Sequence, residues 1–157
     1  MTDALQIRPA CADDVNHIYD ILEVFAKEKL LLPRPHLDIL ERIGNFRVAE
    51  VNGVFAGCAA LRNYGNDLYE VRSLAVAKEF QNGGIASALV NDQIRSLREK
   101  KIPARLFALT YRSNFFKRLG FEIVNKDLFP EKIWSDCERC PKKHCCDETA
   151  VLMQLAP

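Results

Sequence analysis

A stretch that alternates like a strand and then switches to a helical period at two adjacent glycines most tightly limits how this chain can fold. It reads Leu68-Tyr69-Glu70-Val71-Arg72-Ser73-Leu74-Ala75-Val76, then Ala77 to Asn82, then Gly83-Gly84-Ile85-Ala86. In a strand, Tyr69, Val71, Ser73 and Ala75 share one face, and Glu70, Arg72, Leu74 and Val76 share the other. Past the glycines, Ile85, Ala88, Leu89 and Ile94 recur at helical spacing. A helix N-terminus carries unpartnered N–H groups and partial positive charge, so this turn is a candidate anion site. Glycine there lets a phosphate approach the backbone closely. Glu70 and Arg72 stand just ahead of it as a candidate base and a candidate anion clamp.

The remaining periodicities build a mixed sheet around that unit. Leu5 to Arg8 reads as a strand, and Asp13 or Asp14 is positioned to cap a helix with Val15, Ile18, Ile21, Leu22 and Phe25 on its apolar face. A proline-stiffened loop follows, then a short helix through Leu37, Ile39, Leu40 and Ile43 that Gly44 would stop. Phe46 to Val51 and Val54 to Leu61 flank Asn52-Gly53, a hairpin signal of type I′. Asn63 to Asp67 is a second turn, and the long helix runs to about Glu99. Arg105 to Leu109 reads as a buried strand, Asn114 to Leu119 as a short helix closed by Gly120, and Phe121 to Val124 and Thr149 to Leu155 as strands. A hairpin meander followed by a strand-helix-strand unit predicts an α/β (α+β) fold, a mostly antiparallel mixed sheet flanked by helices. A single domain over residues 1–157 is expected, with a cysteine-bearing excursion at about 125–148 that is long for a connection without elements.

A formal net charge of +1 offers no field that would gather nucleic acid or an anionic membrane, so neither is an expected partner. The apolar run from Val54 to Leu61 is too short to span a bilayer, and the first residues lack a signal-peptide pattern; a cytoplasmic protein is expected. Cys137, Cys140, Cys145 and Cys146 crowd one segment beside His144, which offers ligands for a tetrahedral zinc. The spacing is too short for a usual zinc finger or ribbon, so free thiols that shape a loop are favoured over zinc, and a redox-formed disulfide is the third reading.

Gln81-Asn82-Gly83-Gly84-Ile85-Ala86 fits the Q/R-x-x-G-x-G/A turn of the GNAT superfamily. The upstream strand, the following helix and strand, and the ending Phe115-Phe116-Lys117-Arg118-Leu119-Gly120-Phe121 resemble that superfamily in order over nearly the whole chain. The resemblance implies an acetyl-CoA-dependent N-acetyltransferase. Acetyl-CoA would bind along Leu74, Ala75, Val76, the turn from Gln81 through Ala86, Ser87 and Phe116. Glu70 matches the strand glutamate that serves part of the superfamily as a base, and a carboxylate beside a water can take the proton an amine must lose. A carboxylate merely paired with Arg72 or Arg62 is the structural alternative. Two departures stand out. Asn82 and Gly83 replace a common glycine and a common basic residue, and Phe116 stands where a tyrosine often protonates the leaving thiolate. Tyr111 is the nearest phenol, and a thiolate is a fair leaving group without one.

Leu31-Leu32-Pro33-Arg34, Phe46 to Glu50, Gly57 to Leu61, Glu70 to Val76, Leu109-Thr110-Tyr111 and the run from Trp134 to Glu148 resemble one branch, the short single-domain bacterial N-acetylglutamate synthases. That resemblance implies acetyl transfer to the α-amino group of L-glutamate, the entry to arginine synthesis. Glutamate carries two carboxylates, so at least two cationic or N–H-rich sites are expected. Arg72, with Ser73 beside it, supplies one; Arg34, Arg112, Lys117 and Lys132 are candidates for the other. Transfer to another amino acid or to a protein amine stays open, as does a non-catalytic acetyl-CoA sensor, and a homodimer is an open option for assembly.

Overall fold

The computed structural model describes residues 4–28, 31, 34–125 and 148–156. Seven strands hydrogen-bond in the order β1-β2-β3-β4-β5-β7-β6: β1 (Leu5–Pro9), β2 (Phe46–Val51), β3 (Val54–Gly65), β4 (Leu68–Val76), β5 (Ala104–Thr110), β6 (Glu122–Val124) and β7 (Thr149–Leu155). The helices are α1 (Val15–Lys27), α2 (His36–Glu41), α3 (Ile85–Arg98) and α4 (Ser113–Arg118). This is the mixed, mostly antiparallel sheet that the periodicities predict, with β4 and β5 running parallel. Residue contacts divide the chain into two compact units, residues 1–62 with 71–96 and residues 63–70 with 97–157.

In the first unit the sheet is buried on both faces. Ile18 and Leu22 of α1 and Ile39 of α2 pack with Phe46, Val48, Cys58, Ala60 and Ala75. Ile85 and Leu89 of α3 pack with Ala49, Val51, Ala56, Ala59 and Val76. Burial of both faces explains why β3 opens on a continuous apolar run, Val54 to Leu61, instead of alternating. Asn52 and Gly53 have φ of 52° and 80°, the pair of left-handed residues that a type I′ turn requires. Gly57 has a different reason to lack a side chain: a Cβ there would lie 2.6 Å from the Ala75 carbonyl oxygen of β4.

Two local expectations are corrected in this unit. Asp14 precedes α1 but does not cap it. Its carboxylate instead takes two hydrogen bonds at 2.8 Å from Arg8 and one from the Cys11 N–H, while Arg8 Nε reaches Glu50 at 2.7 Å. The 3-10 turn Ala12–Asp14 orients the carboxylate backward, onto β1. Hydrogen bonds from Arg8 hold Asp14 down at about 2. Gly44 is not the stop of α2, which ends at Glu41; it lies inside the 3-10 turn Ile43–Asn45 that delivers the chain to β2.

In the second unit, Leu68, Tyr69 and Glu70 of β4 align in parallel with Arg105, Leu106 and Phe107 of β5. β7 pairs antiparallel with β5 along its full length, and β6 pairs with its other edge. The hairpin between β3 and β4 is tighter and later than the predicted turn. β3 continues to Gly65, and Asn66 and Asp67, with φ of 54° and 62°, make the two-residue reversal. Leu68, Phe107, Ala150 and Leu152 form the core, and Phe116 of α4 packs edge-on against Phe115 and Phe121 with ring centroids 5.0 and 5.1 Å apart.

Candidate active site

β4 is interrupted where the sequence predicts even alternation. Ser73 has φ +53°, a left-handed conformation that costs an L-residue about 1–2 kcal/mol. In the middle of a strand such a residue persists only when its surroundings hold it. Two side chains do so from within the first unit. The Cys58 thiol donates to the Ser73 carbonyl at 3.4 Å, and Arg34 Nη1 donates to the Ser73 hydroxyl at 3.0 Å. Burial pushes the Cys58 thiol up to about 12, so it stays a protonated donor.

Arg34 is itself held on three sides. Nε donates to Asp38 Oδ2 at 2.8 Å, and the guanidinium lies 5.0 Å from the centre of the Phe46 ring, a cation–π contact. Its side chain is only 11% exposed. Asp38 in turn accepts from Arg42 at 3.2 Å. Burial alone would push the Asp38 carboxyl up, but hydrogen bonds from Arg34 and Arg42 outweigh it and hold the group below its ordinary value. A guanidinium has five N–H donors, and among the described residues the bonds to Asp38 and Ser73 engage two of them. The sequence singles out Arg34 and Ser73 separately; their pairing and the Asp38 brace come from the fold.

In the second unit, Glu70 is buried, with 4% of its surface exposed. The Tyr64 hydroxyl donates to its Oε1 at 2.7 Å. Tyr64 is absent from the sequence-derived candidates. Its signal was a tyrosine at the end of a strand six residues before Glu70, and only the folded chain shows that the two side chains meet. Tyr64 also packs on Phe107, which fixes its ring. Arg72 follows Glu70 by two residues on β4 and is partly exposed.

The glycine turn presents backbone rather than side chains. Gln81, Asn82, Gly83 and Gly84 are exposed, and Ile85 is buried as the anchor of α3. The Gln81 side chain donates to the Val76 carbonyl at 3.0 Å, which ties the turn to the end of β4. Asn82 (φ 67°) and Gly84 (φ 81°) are left-handed. Asparagine tolerates that region better than most side chains, which accounts for Asn82 where the superfamily often has glycine. The first helical bond runs from the Ala88 N–H to the Gly84 carbonyl, so the preceding N–H groups at Ile85, Ala86 and Ser87 have no helical acceptor. Ala75 and Val76 point into the two cores and Leu74 packs beside Val76, so these three have backbone rather than side chains to offer a ligand.

Tyr111 is 39% exposed just past β5, and the neighbouring Arg112 is exposed, its N–H bonded to the Thr110 hydroxyl at 2.8 Å. Phe116 is buried in its aromatic cluster. Among the described residues no group of three His, Cys, Asp or Glu side chains is placed to hold a metal. Cys137, Cys140, Cys145 and Cys146, and Lys132, lie outside the described residues. Among the described residues no helix is long and apolar enough to cross a membrane.

This strand, turn and helix order matches known proteins. The profile of the acetyltransferase (GNAT) domain family matches residues 42–123, from the turn before β2 into β6. An N-acetyltransferase of Chlorobaculum tepidum, itself uncharacterised, is 42% identical over 95% of this chain and 96% of its own length. The chain belongs to the GNAT acetyltransferases. It is an acetyl-CoA-dependent N-acetyltransferase. Within that family it is 33% identical to an amino-acid acetyltransferase of Mycobacterium tuberculosis, over 73% of this chain and 67% of the relative. Its fold superposes with a TM-score of 0.87 and 27% identity on N-acetylglutamate synthase from Neisseria gonorrhoeae, solved with coenzyme A and N-acetyl-glutamate. All of this chain is covered there, but only 36% of that longer protein.

Proposed function

We propose that this GNAT enzyme transfers the acetyl group of acetyl-CoA to the α-amino group of L-glutamate. The observation that carries the reading is Arg34, a guanidinium held in place against Ser73 of β4, one residue past Arg72 and three past Glu70. A fixed guanidinium suits a carboxylate, and a dicarboxylic acceptor needs cationic sites that a simple amine does not. The likeness to amino-acid acetyltransferases and to a synthase solved with N-acetyl-glutamate supports the same acceptor class.

The chemistry follows from the proposed roles. The N–H groups that open α3 receive the pyrophosphate of acetyl-CoA. Arg34 and Arg72 bind the acceptor carboxylates, with Arg112 a further candidate. Glu70 takes, through a water, the proton that the α-ammonium group must lose, and Tyr64 orients that carboxylate. The amine nitrogen adds to the thioester carbonyl, the tetrahedral intermediate collapses, and the C–S bond breaks to release CoA thiolate. The thiolate takes its proton from solvent or from Tyr111.

A CoA-release assay with acetyl-CoA and each of the twenty amino acids tests the acceptor, with glutamate expected to give the highest kcat/KM. Activity on peptide amines with none on glutamate would overturn it. In the same assay Glu70→Gln should lower kcat at neutral pH about a hundredfold with little change in the KM for acetyl-CoA. Turnover unchanged from pH 6 to 9 removes the base role.

A further inference from the structure

The reading of Arg34 as an acceptor clamp raises a question that substrate contacts do not answer. A long, flexible guanidinium is a poor carboxylate receptor unless its rotamer is chosen before the ligand arrives, because ordering it on binding costs affinity. Ser73 alone holds one N–H, and the Phe46 ring restrains only the plane of the group. Asp38 supplies the remaining constraint. Its Oδ2 takes Arg34 Nε at 2.8 Å, so Nε and Nη1 are pinned to groups 35 residues apart in sequence, one on α2 and one on β4. The second oxygen of Asp38 is engaged by Arg42 at 3.2 Å, which steadies the carboxylate from the opposite side. Arg42 is half exposed, whereas Arg34 is nearly covered, so the pair around Asp38 is asymmetric.

We propose, resting on the acceptor reading of Arg34, that Asp38 is a positioning residue. It preorganises the Arg34 guanidinium so that its outward N–H groups meet an acceptor carboxylate, and it thereby sets acceptor affinity rather than the rate of acetyl transfer. Asp38 touches no reacting atom. It also lies in the first turn of α2, where a carboxylate favours the helix dipole, and that purely structural role must be separated from the positioning one.

Steady-state CoA release with the full chain makes the separation, using the best amino-acid acceptor of the panel. Asp38→Asn keeps the size of the side chain and removes its charge. It should raise the KM for the acceptor about tenfold, with kcat and the KM for acetyl-CoA within about twofold of wild type. Asp38→Glu, which restores a carboxylate to Nε, should recover most of that loss. Arg42→Ala, which leaves the Asp38–Arg34 bond intact, should change the acceptor KM less than about twofold. A merely structural Asp38 predicts a lowered Tm and losses spread over both substrates, with no rescue by glutamate. Arg34→Ala separates the two ways of being wrong. If it raises the acceptor KM while Asp38→Asn does not, positioning by Asp38 is overturned and the clamp stands. If neither moves the acceptor KM, the acceptor role of Arg34 falls and positioning falls with it.

Discussion

Two left-handed residues, Ser73 and Asn82, lie nine positions apart, and the fold treats them in opposite ways. Ser73 is buried in β4, with its carbonyl held by the Cys58 thiol and its hydroxyl by Arg34. Asn82 stands exposed in a turn beside two glycines. Strain held by side chains leaves side chains as the groups on offer. Strain relieved by asparagine and glycine leaves the backbone. The first suits a carboxylate-bearing acceptor, which must be recognised by shape and charge. The second suits a phosphate, which needs N–H groups and close approach.

The largest perturbation sits between these regions in the sheet. Gly57→Ala places a methyl 2.6 Å from the Ala75 carbonyl, so β3 and β4 must separate. A loss of about 1–3 kcal/mol is expected by chemical denaturation, with both substrate KM values rising together. A stability change under about 0.5 kcal/mol would mean that the close approach is unnecessary.

A perturbation remote from both is the acid titration of Asp14. Its folded value, about 2, lies below the ordinary 3.8, so its contribution is complete above about pH 4 and is lost as the pH falls through 2. The difference corresponds to at most about 2 kcal/mol, since Arg8 is partly solvated. Asp14→Asn should flatten the stability–pH curve between pH 4 and 2 and leave both KM values in place. A curve as steep as wild type there would refute the assignment.

Ser73 itself divides strain from recognition. Ser73→Ala keeps the strained backbone and loses the hydroxyl, and should cost about 1 kcal/mol of stability and raise the acceptor KM. Ser73→Gly relieves the backbone, so its stability should exceed that of Ser73→Ala by about 1 kcal/mol, while its acceptor KM rises at least as far. Equal stabilities of the two variants would show that φ +53° stores no strain.

The turn should respond on the other substrate. Gly84→Ala, at φ 81°, is expected to cost about 1 kcal/mol and to raise the KM for acetyl-CoA alone. Asn82→Gly is the smallest change, within about 0.5 kcal/mol, because glycine accepts the same φ. A rise in the acceptor KM for either turn variant would dissolve the distinction between the regions.

Much of the frame was legible because it depends on neighbours in sequence. Asn52-Gly53 forms its hairpin, α3 begins at Ile85 after the glycines, and β7 spans Thr149–Leu155 as its pattern predicts. Local reading failed where a side chain had a better partner elsewhere. Asp14 turned to Arg8 instead of to its own helix, and a two-residue turn at Asn66-Asp67 carried β3 beyond Leu61. Tyr64 meets Glu70 through a side-chain hydrogen bond that no periodicity reveals.

By itself, the sequence determined the order of elements, the exposed glycine turn and the residue types available for acetyl transfer, since period, turn chemistry and charge are properties of short stretches. Only the tertiary structure decided which of several arginines is braced between a carboxylate and a strand hydroxyl. Arg34 meets Ser73 across 39 residues, and the bond exists because α2, β2 and β4 pack around one core. A contact of that range depends on how separate elements bury their apolar faces together, which no local pattern encodes.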